Sequence, residues 1–199
     1  MNVKDLGIIS PEEGLEAEHA LFREGSGMII YTRDVPTVSL GRFTDIDACV
    51  DIRYAAEHDI RIIRRMSGGS AVYTDRGQMV FSLVTARDSF GSKSESYEVL
   101  CNCLVRTLAH LGVDAVHKIP NDVLAGGRKI SGCAQYRDRD RLLHHGTLIL
   151  DLNDNMEKVL RPVKVRTYSG MTSVRMETGR IPDRKEILEA FREGFSAIR

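Results

Sequence analysis

The stretch Arg64–Gln78, "RRMSGGSAVYTDRGQ", constrains the fold more than any other part of this chain. Its first seven residues hold two arginines, two glycines and two hydroxyls. A mostly apolar run, Ile60 to Ile63, leads into it, and another, Met79 to Val84, follows. The glycines therefore enter a strand rather than a helix. That excludes a Walker A loop, which needs Gly-x-x-x-x-Gly-Lys-Ser/Thr ahead of a helix. It excludes a dinucleotide-binding fingerprint for the same reason.

A small, donor-rich loop between strands suits an anion. Gly68 and Gly69 let backbone N–H groups approach one closely. Arg64 and Arg65 offer rigid, permanently charged forks that match phosphate oxygens. Adjacent strand residues face opposite ways, so one of the two arginines is expected to reach the pocket. The same residues also suit a glycine-rich hairpin flanked by solvated arginines.

The surrounding pattern predicts one α+β domain, with a mixed, largely antiparallel sheet flanked by helices. Ser10, Pro11 and the acids after them read as a helix start, and Gly25 as its end. "GMIIYTR" and "TVSLGRF" read as strands, and "DIDACVDIRYAAEHD" as a helix. "AVYTD" and "QMVFSLV" read as a hairpin across Arg76-Gly77. The longest helix spans about Ser92 to Leu111, with apolar residues at three- and four-residue steps. "NDVLAGGRKISGCAQYRD" and "LLHHGTLILDL" read as two strands joined by a charged turn, and helices follow near 155–160 and 183–196.

The bulk chemistry narrows the function. The 199 residues carry 28 basic and 28 acidic side chains. Zero net charge gives no support to nucleic-acid binding. No apolar run approaches a membrane span, and the first residues lack a secretory h-region, so a cytoplasmic protein is expected. Cys49, Cys101, Cys103 and Cys133 form no Cys-x-x-Cys pair. They read as reduced packing residues rather than a metal or redox site.

A second segment adds chemistry. In "NDVLAGGRKISGCAQ", Lys129 follows a glycine pair and enters an apolar strand. Strand alternation predicts Lys129, Ser131 and Cys133 on one face, with Ile130 and Gly132 on the other. An ammonium there can reach a carboxylate and a phosphate together. Asp122 suits either Mg²⁺ or a turn cap. His144 and His145 face apart and cannot easily share a metal; one is expected to pack in the sheet and donate a hydrogen bond. Gly146 is expected to keep the backbone low and make room for a ligand chain.

Together these segments resemble the catalytic domain of the lipoate–protein ligase A family, within the lipoyl, octanoyl and biotin transferase superfamily. "RRMSGGSAVYTDRGQMVFS" resembles the family's Arg-Arg-x-Ser-Gly-Gly-Gly-Ala-Val segment. "NDVLAGGRKISGCAQYR", "LLHHGTLILDLN" and "GMTSVRME" resemble its later motifs, in the same order. The resemblance implies a biotin/lipoate ligase-type catalytic fold. It implies that lipoic acid is activated with ATP and Mg²⁺ to lipoyl-adenylate, then passed to a lysine of a carrier. That carrier would be a glycine-cleavage H protein or the acyltransferase subunit of a 2-oxoacid dehydrogenase. Carried over by motif, Lys129 is the catalytic residue, bridging the substrate carboxylate and the α-phosphate, and Asp122 supports the metal. Arg65, Ser67, Gly68, Gly69, Ser70, Ala71, Val72 and Tyr73 would bind ATP and the lipoyl-adenylate. So would Asn121, Lys129, Ser131, Gly132, Ala134, His145, Gly146 and Thr147. An eight-carbon acyl tail would lie along Gly69, Gly132 and Ala134.

The sequence departs from the family pattern at Ser70, Thr74, Gln78, Thr44 and Cys133. Family members often carry a C-terminal accessory domain. Here residues 1–199 are expected to form the catalytic domain alone; either a separate small protein completes it, or the reaction needs no such domain. An octanoyltransferase of the same fold would need a cysteine thiolate beside the lysine. Cys133 is the only candidate, and it stands where the family has a small serine, so packing is the expected role. The biotin ligase run Gly-Arg-Gly-Arg-Arg-Gly is missing. A non-catalytic subunit binding lipoate or a lipoyl domain is a further reading, opposed by intact Arg65 and Lys129.

Overall fold

Ser10 starts the first helix as a reciprocal cap. Its hydroxyl accepts from the Glu13 amide, and the Glu13 carboxylate accepts from the Ser10 amide. Pro11 occupies the first turn and Gly25 closes the helix in the left-handed region, at φ 96°. This helix, α1 (Pro11–Glu24), matches the sequence expectation at both ends. The structure is a computed structural model and describes residues 2–161 and 170–198.

A seven-stranded sheet forms the body. Its strands are β1 (Val3–Ile9), β2 (Gly27–Arg33), β6 (Gln78–Ala86), β7 (Ala115–Lys118), β8 (Asp122–Ala125), β9 (Arg128–Arg137) and β10 (Arg141–Ile149). Their order is β1-β2-β6-β10-β9-β8-β7. Only the β1–β2 pair is parallel, so the sheet is mixed and largely antiparallel, as expected. A second sheet has three strands in the order β4-β3-β5: β4 (Arg61–Arg64), β3 (Thr37–Leu40) and β5 (Val72–Thr74).

Strand alternation sorts the large sheet's two faces. Met79, Phe81 and Leu83 point one way, into a core shared with α4 (Lys93–His110) and α7 (Arg184–Gly194). Val80 and Val84 point the other way, with Leu21 of α1. A separate core lies under the small sheet, against α2 (Ile46–Cys49), α3 (Ile52–Glu57) and α5 (Asn155–Val159). A short helix, α6 (Val174–Thr178), follows. Among the described residues no helix is long and apolar enough to cross a membrane.

Three sequence expectations need correction. The helix over 45–59 is two helices, because Val50 is extended, fully buried and bridged to Leu160. The residues around Arg76-Gly77 do not form a hairpin. β5 pairs with β3 in the small sheet, while β6 lies between β2 and β10 in the large one. The turn there passes the chain between sheets. It is fixed by Gly77 O, which accepts from the amides of Leu150 and Asp151. The segment 121–138 is two strands, not one: Gly126 and Gly127, at φ 53° and 76°, turn β8 back into β9. Two successive positive φ values make this the kind of turn that matches strand twist. β1, β7 and α6 had no forecast.

Candidate active site

A cavity of about 740 Å³ lies between the two sheets, within the range of roughly 300–1,000 Å³ typical of small-molecule sites. One wall is the loop from β4 to β5, represented by Arg65, Gly68, Gly69 and Ser70, then Val72 and Tyr73 of β5. The other wall is the large sheet: Asn121, Asp122, Lys129, Gly132 and Ala134, then His145, Gly146 and Thr147 of β10. Thus fourteen of the predicted residues meet across one space. Ser67, Ala71 and Ser131 do not line it. Ser67 lies buried behind the loop, Ala71 packs in the small-sheet core, and Ser131 is fully buried.

Lys129 reaches the cavity for a reason alternation did not anticipate. Leu124 pairs with Lys129 and Val123 with Ser131, so Ile130 has no partner opposite. That extra residue is a β-bulge, and it inverts the pleat at this point. Lys129 therefore shares its face with Gly132, not with Ser131 and Cys133 as alternation predicts. A Cβ on Gly132 would lie 2.6 Å from Lys129 Nζ, so the lysine stem runs across the glycine. Lys129 Nζ pairs with Asp122 Oδ1 at 2.5 Å, both side chains being about 30% exposed. Ile130 is turned fully into the core.

Gly146 also differs from expectation. A Cβ there would meet Phe81 Cζ at 2.8 Å and Cys133 Sγ at 3.1 Å. The absent side chain makes room for the core, not for a ligand chain. Cys133 touches the cavity wall yet is only 5% exposed, and its side chain belongs to the core under α4. Burial and the neighbouring Cys101 hold its thiol well above the usual range, against the opposing pull of Lys129.

The glycine loop is held by its own arginines. Arg65 Nη1 donates to Ser39 O at 2.6 Å, and Nη2 donates to Gly68 O and Ser70 O. Arg64 Nη1 donates to the carbonyls of Gly41, Arg42 and Thr44. Arg65 alone lines the cavity, as expected from alternation. Gly41 fits tightly, because a Cβ there would overlap Gly69 O. Thr44 Oγ1 donates to that same carbonyl at 2.6 Å. The loop is thus pre-shaped before any ligand arrives.

A buried chain of hydrogen bonds ties the loop to the sheet. Ser67 Oγ and His145 Nε2 are 2.6 Å apart, and His145 Nδ1 lies 2.5 Å from Glu18 Oε2. Ser82 Oγ donates to the same carboxylate oxygen at 2.8 Å. Burial pushes the Glu18 pKa up, but His145 and the hydroxyl of Ser82 outweigh it and hold the value low. His145 thus makes the structural hydrogen bond expected of one histidine. Sequence reading missed Glu18. The available signal was its helical spacing, since Gly14, Glu18 and Leu21 form the buried stripe of α1.

Charge is concentrated here although the chain is neutral overall. Arg33, Arg65, Lys93, Lys118 and Lys129 line the cavity, against Glu18 and Asp122. Such a site draws anions and stabilises them where charge accumulates. The sequence family agrees with this geometry: the family model for the lipoyl protein ligase A/B catalytic domain matches residues 10–196.

This chain belongs to that family. The lipoyl ligase-family chain is 32% identical over 169 residues to the lipoate-protein ligase LplJ of Bacillus subtilis, covering 82% of this chain and 50% of that protein. It is 30% identical over 196 residues to the octanoyltransferase LipM of Oceanobacillus iheyensis, covering 84% of this chain and 71% of that one. It superposes with a TM-score of 0.85 on a crystal structure of lipoate-protein ligase A bound with ATP, at 25% identity, covering 98% of this chain and 83% of that one. The fold is therefore that of lipoate ligase catalytic domains. The chain spans about half the length of LplJ.

Proposed function

We propose that this lipoyl ligase-family chain activates lipoic acid with ATP to lipoyl-adenylate and transfers the lipoyl group to a lysine of a lipoyl carrier domain. The observation that carries this reading is the position of Lys129, an ammonium laid across Gly132 in the large-sheet wall of the cavity. Joining a carboxylate to the α-phosphate of ATP brings two anions together. A fixed cation between them removes the repulsion and stabilises the charge of the transition state. The carboxylate oxygen attacks the α-phosphorus, and pyrophosphate leaves. The carrier's neutral amine then attacks the acyl carbonyl, AMP leaves, and the amine sheds a proton. Gly132 and Ala134, which line the cavity, would take the apolar tail, and Gly68 and Gly69 would take the nucleotide.

Asp122 fits Mg²⁺ in a limited sense. It is a single carboxylate at the cavity wall, and Mg²⁺ is usually held by one or two carboxylates together with substrate phosphates. The ion would neutralise phosphate charge there, and Asp122 would exchange its bond to Lys129 for it. A glycine-cleavage H protein or a 2-oxoacid dehydrogenase acyltransferase subunit is the proposed carrier. A separate small subunit completing the catalytic domain belongs to the same proposal.

The likeness to an octanoyltransferase favours a second reading, octanoyl transfer, which here would run from acyl carrier protein through a cysteine thioester. Against it, all four cysteines are buried and Cys133 is held as a thiol. One assay separates the two. The protein is incubated with lipoate, octanoate or octanoyl-carrier, with and without ATP, and mass gain on a lipoyl domain is measured. Gain that requires ATP supports the ligase; gain from octanoyl-carrier without ATP overturns it. No pyrophosphate release, even with an accessory subunit and carrier present, leaves a binding role.

A further inference from the structure

Behind the sheet, on the face away from Lys129, Cys101 of α4 meets Cys133 of β9 and His144 of β10. Their sulfur and ring-nitrogen atoms lie within 4.8 Å of one another, and all three residues are buried. We propose that these three side chains form a zinc site, independent of the acyl-transfer reading.

Three observations support it. First, His144 Nε2 is fully buried and has no hydrogen-bond partner, at a place where the cost of an unpaired polar atom is not screened. A metal ion supplies the missing partner. Second, the donors are soft and of the right kinds. Thiolate and imidazole together select zinc or Cu⁺, not Mg²⁺ or Ca²⁺. Zinc bonds of about 2.3 Å to sulfur and about 2.0 Å to nitrogen place ligand atoms roughly 3.5–3.8 Å apart, so the cluster needs to close by about 1 Å. Third, charge balances. Two thiolates, a neutral imidazole and Zn²⁺ sum to zero, which an apolar core tolerates; Cu⁺ with the same donors leaves a net negative charge. Burial keeps His144 neutral, so its ring can bind metal. Three protein ligands leave the fourth tetrahedral position for a water.

Binding replaces two S–H bonds with two Zn–S bonds and releases two protons. Coordination through Nε2 leaves the ring proton on Nδ1, where the side chain of Gln135 already lies at 3.2 Å. That amide would rotate to present its oxygen. The ion would pin α4 to β9 and β10, beneath the strand that presents Lys129. The pattern was invisible in sequence, because Cys101 and Cys133 are far apart and neither belongs to a Cys-x-x-Cys pair.

The test uses the full chain, reduced with a phosphine and stripped of metal. Zn²⁺ is added in competition with a chromophoric chelator. One equivalent should bind, with two protons released and a higher melting temperature. Loss of an outer-sphere partner typically weakens metal binding 10–100-fold, so Cys101→Ser and His144→Gln, which remove ligands, should weaken it more than about 100-fold. Cys103→Ser should bind like the parent, since that thiol instead accepts from Arg106. Should the ligand variants fail to fold, Co²⁺ added to the parent decides: a sulfur-to-cobalt charge-transfer band supports the site. Substoichiometric zinc, unchanged affinity in Cys101→Ser, uptake of Cu⁺ but not Zn²⁺, or a cobalt spectrum without that band would each overturn it.

Discussion

At the scale of single residues, the strongest expectation concerns Lys129. Lys129→Ala should reduce acyl transfer on the order of 10³-fold, the loss seen when one preorganised donor to a transition state is removed. Its melting curve should match the parent, because the side chain is partly exposed and among the described residues it pairs with Asp122 alone. Rapid turnover by the alanine variant would remove the proposed role. Gly132→Ala tests the geometry instead of the charge. Its methyl would displace the end of the lysine, a flexible group that can move at little cost to the fold. Activity should fall roughly 10–100-fold, as expected for a misplaced catalytic group, with stability changed by less than about 1 kcal/mol. Cys133→Ser should keep most acyl transfer and show no trapped thioester in the parent, in line with its buried thiol.

At the scale of elements, helix ends were readable and sheet partners were not. Ser10, Ser92 and Asp183 each cap a helix reciprocally with a glutamate three residues on, a purely local signal. Asp183→Ala should cost about 1 kcal/mol in chemical denaturation. By contrast, nothing local says that β5 belongs with β3, or that β6 belongs between β2 and β10. Those pairings are decided by which apolar faces cover one another at long range. β1 was missed because charge and Gly7 mask it, and because it is held by tertiary bonds. Arg184 of α7 grips Asp5 through two nitrogens and also donates to Gly7 O. Burial alone would raise the Asp5 pKa, but Arg184 and the Gly7 amide outweigh it and hold it below 3.8. A lowered carboxylate stabilises the fold above its unfolded value, and that contribution is lost as pH falls through the folded one. Arg184→Ala should therefore cost about 1 kcal/mol near neutral pH. The difference from the parent should shrink below pH 3.8 and vanish in stronger acid. A constant difference across that range would contradict the pairing.

At the scale of the whole molecule, the two sheets act as jaws, and each brings a different resource. The small sheet supplies a loop clamped by Arg64 and Arg65; the large sheet supplies Lys129 and the tail-lining residues. Most of both inventories was legible as motifs, because spacing within a segment survives in the linear order. Glu18 was not, since it comes from α1 and meets the site through His145 and Ser82, both distant in sequence. His145→Ala should loosen the loop without touching Lys129. It leaves Glu18 buried without its main partner, so a loss of about 3 kcal/mol in unfolding free energy is expected. If stability is unchanged, the Ser67–His145–Glu18 chain is not what joins the two halves.

The single unopposed isoleucine in β9 carries a warning for anyone who edits this strand. Ironing out the bulge while every residue stays in place would restore perfect pleating and, with it, send a positive charge into oil. A substitution that straightens the strand would look conservative on paper and would poison folding and chemistry at once. Grafting the motif onto a straight strand elsewhere would fail in the same manner, unless the kink travels with it.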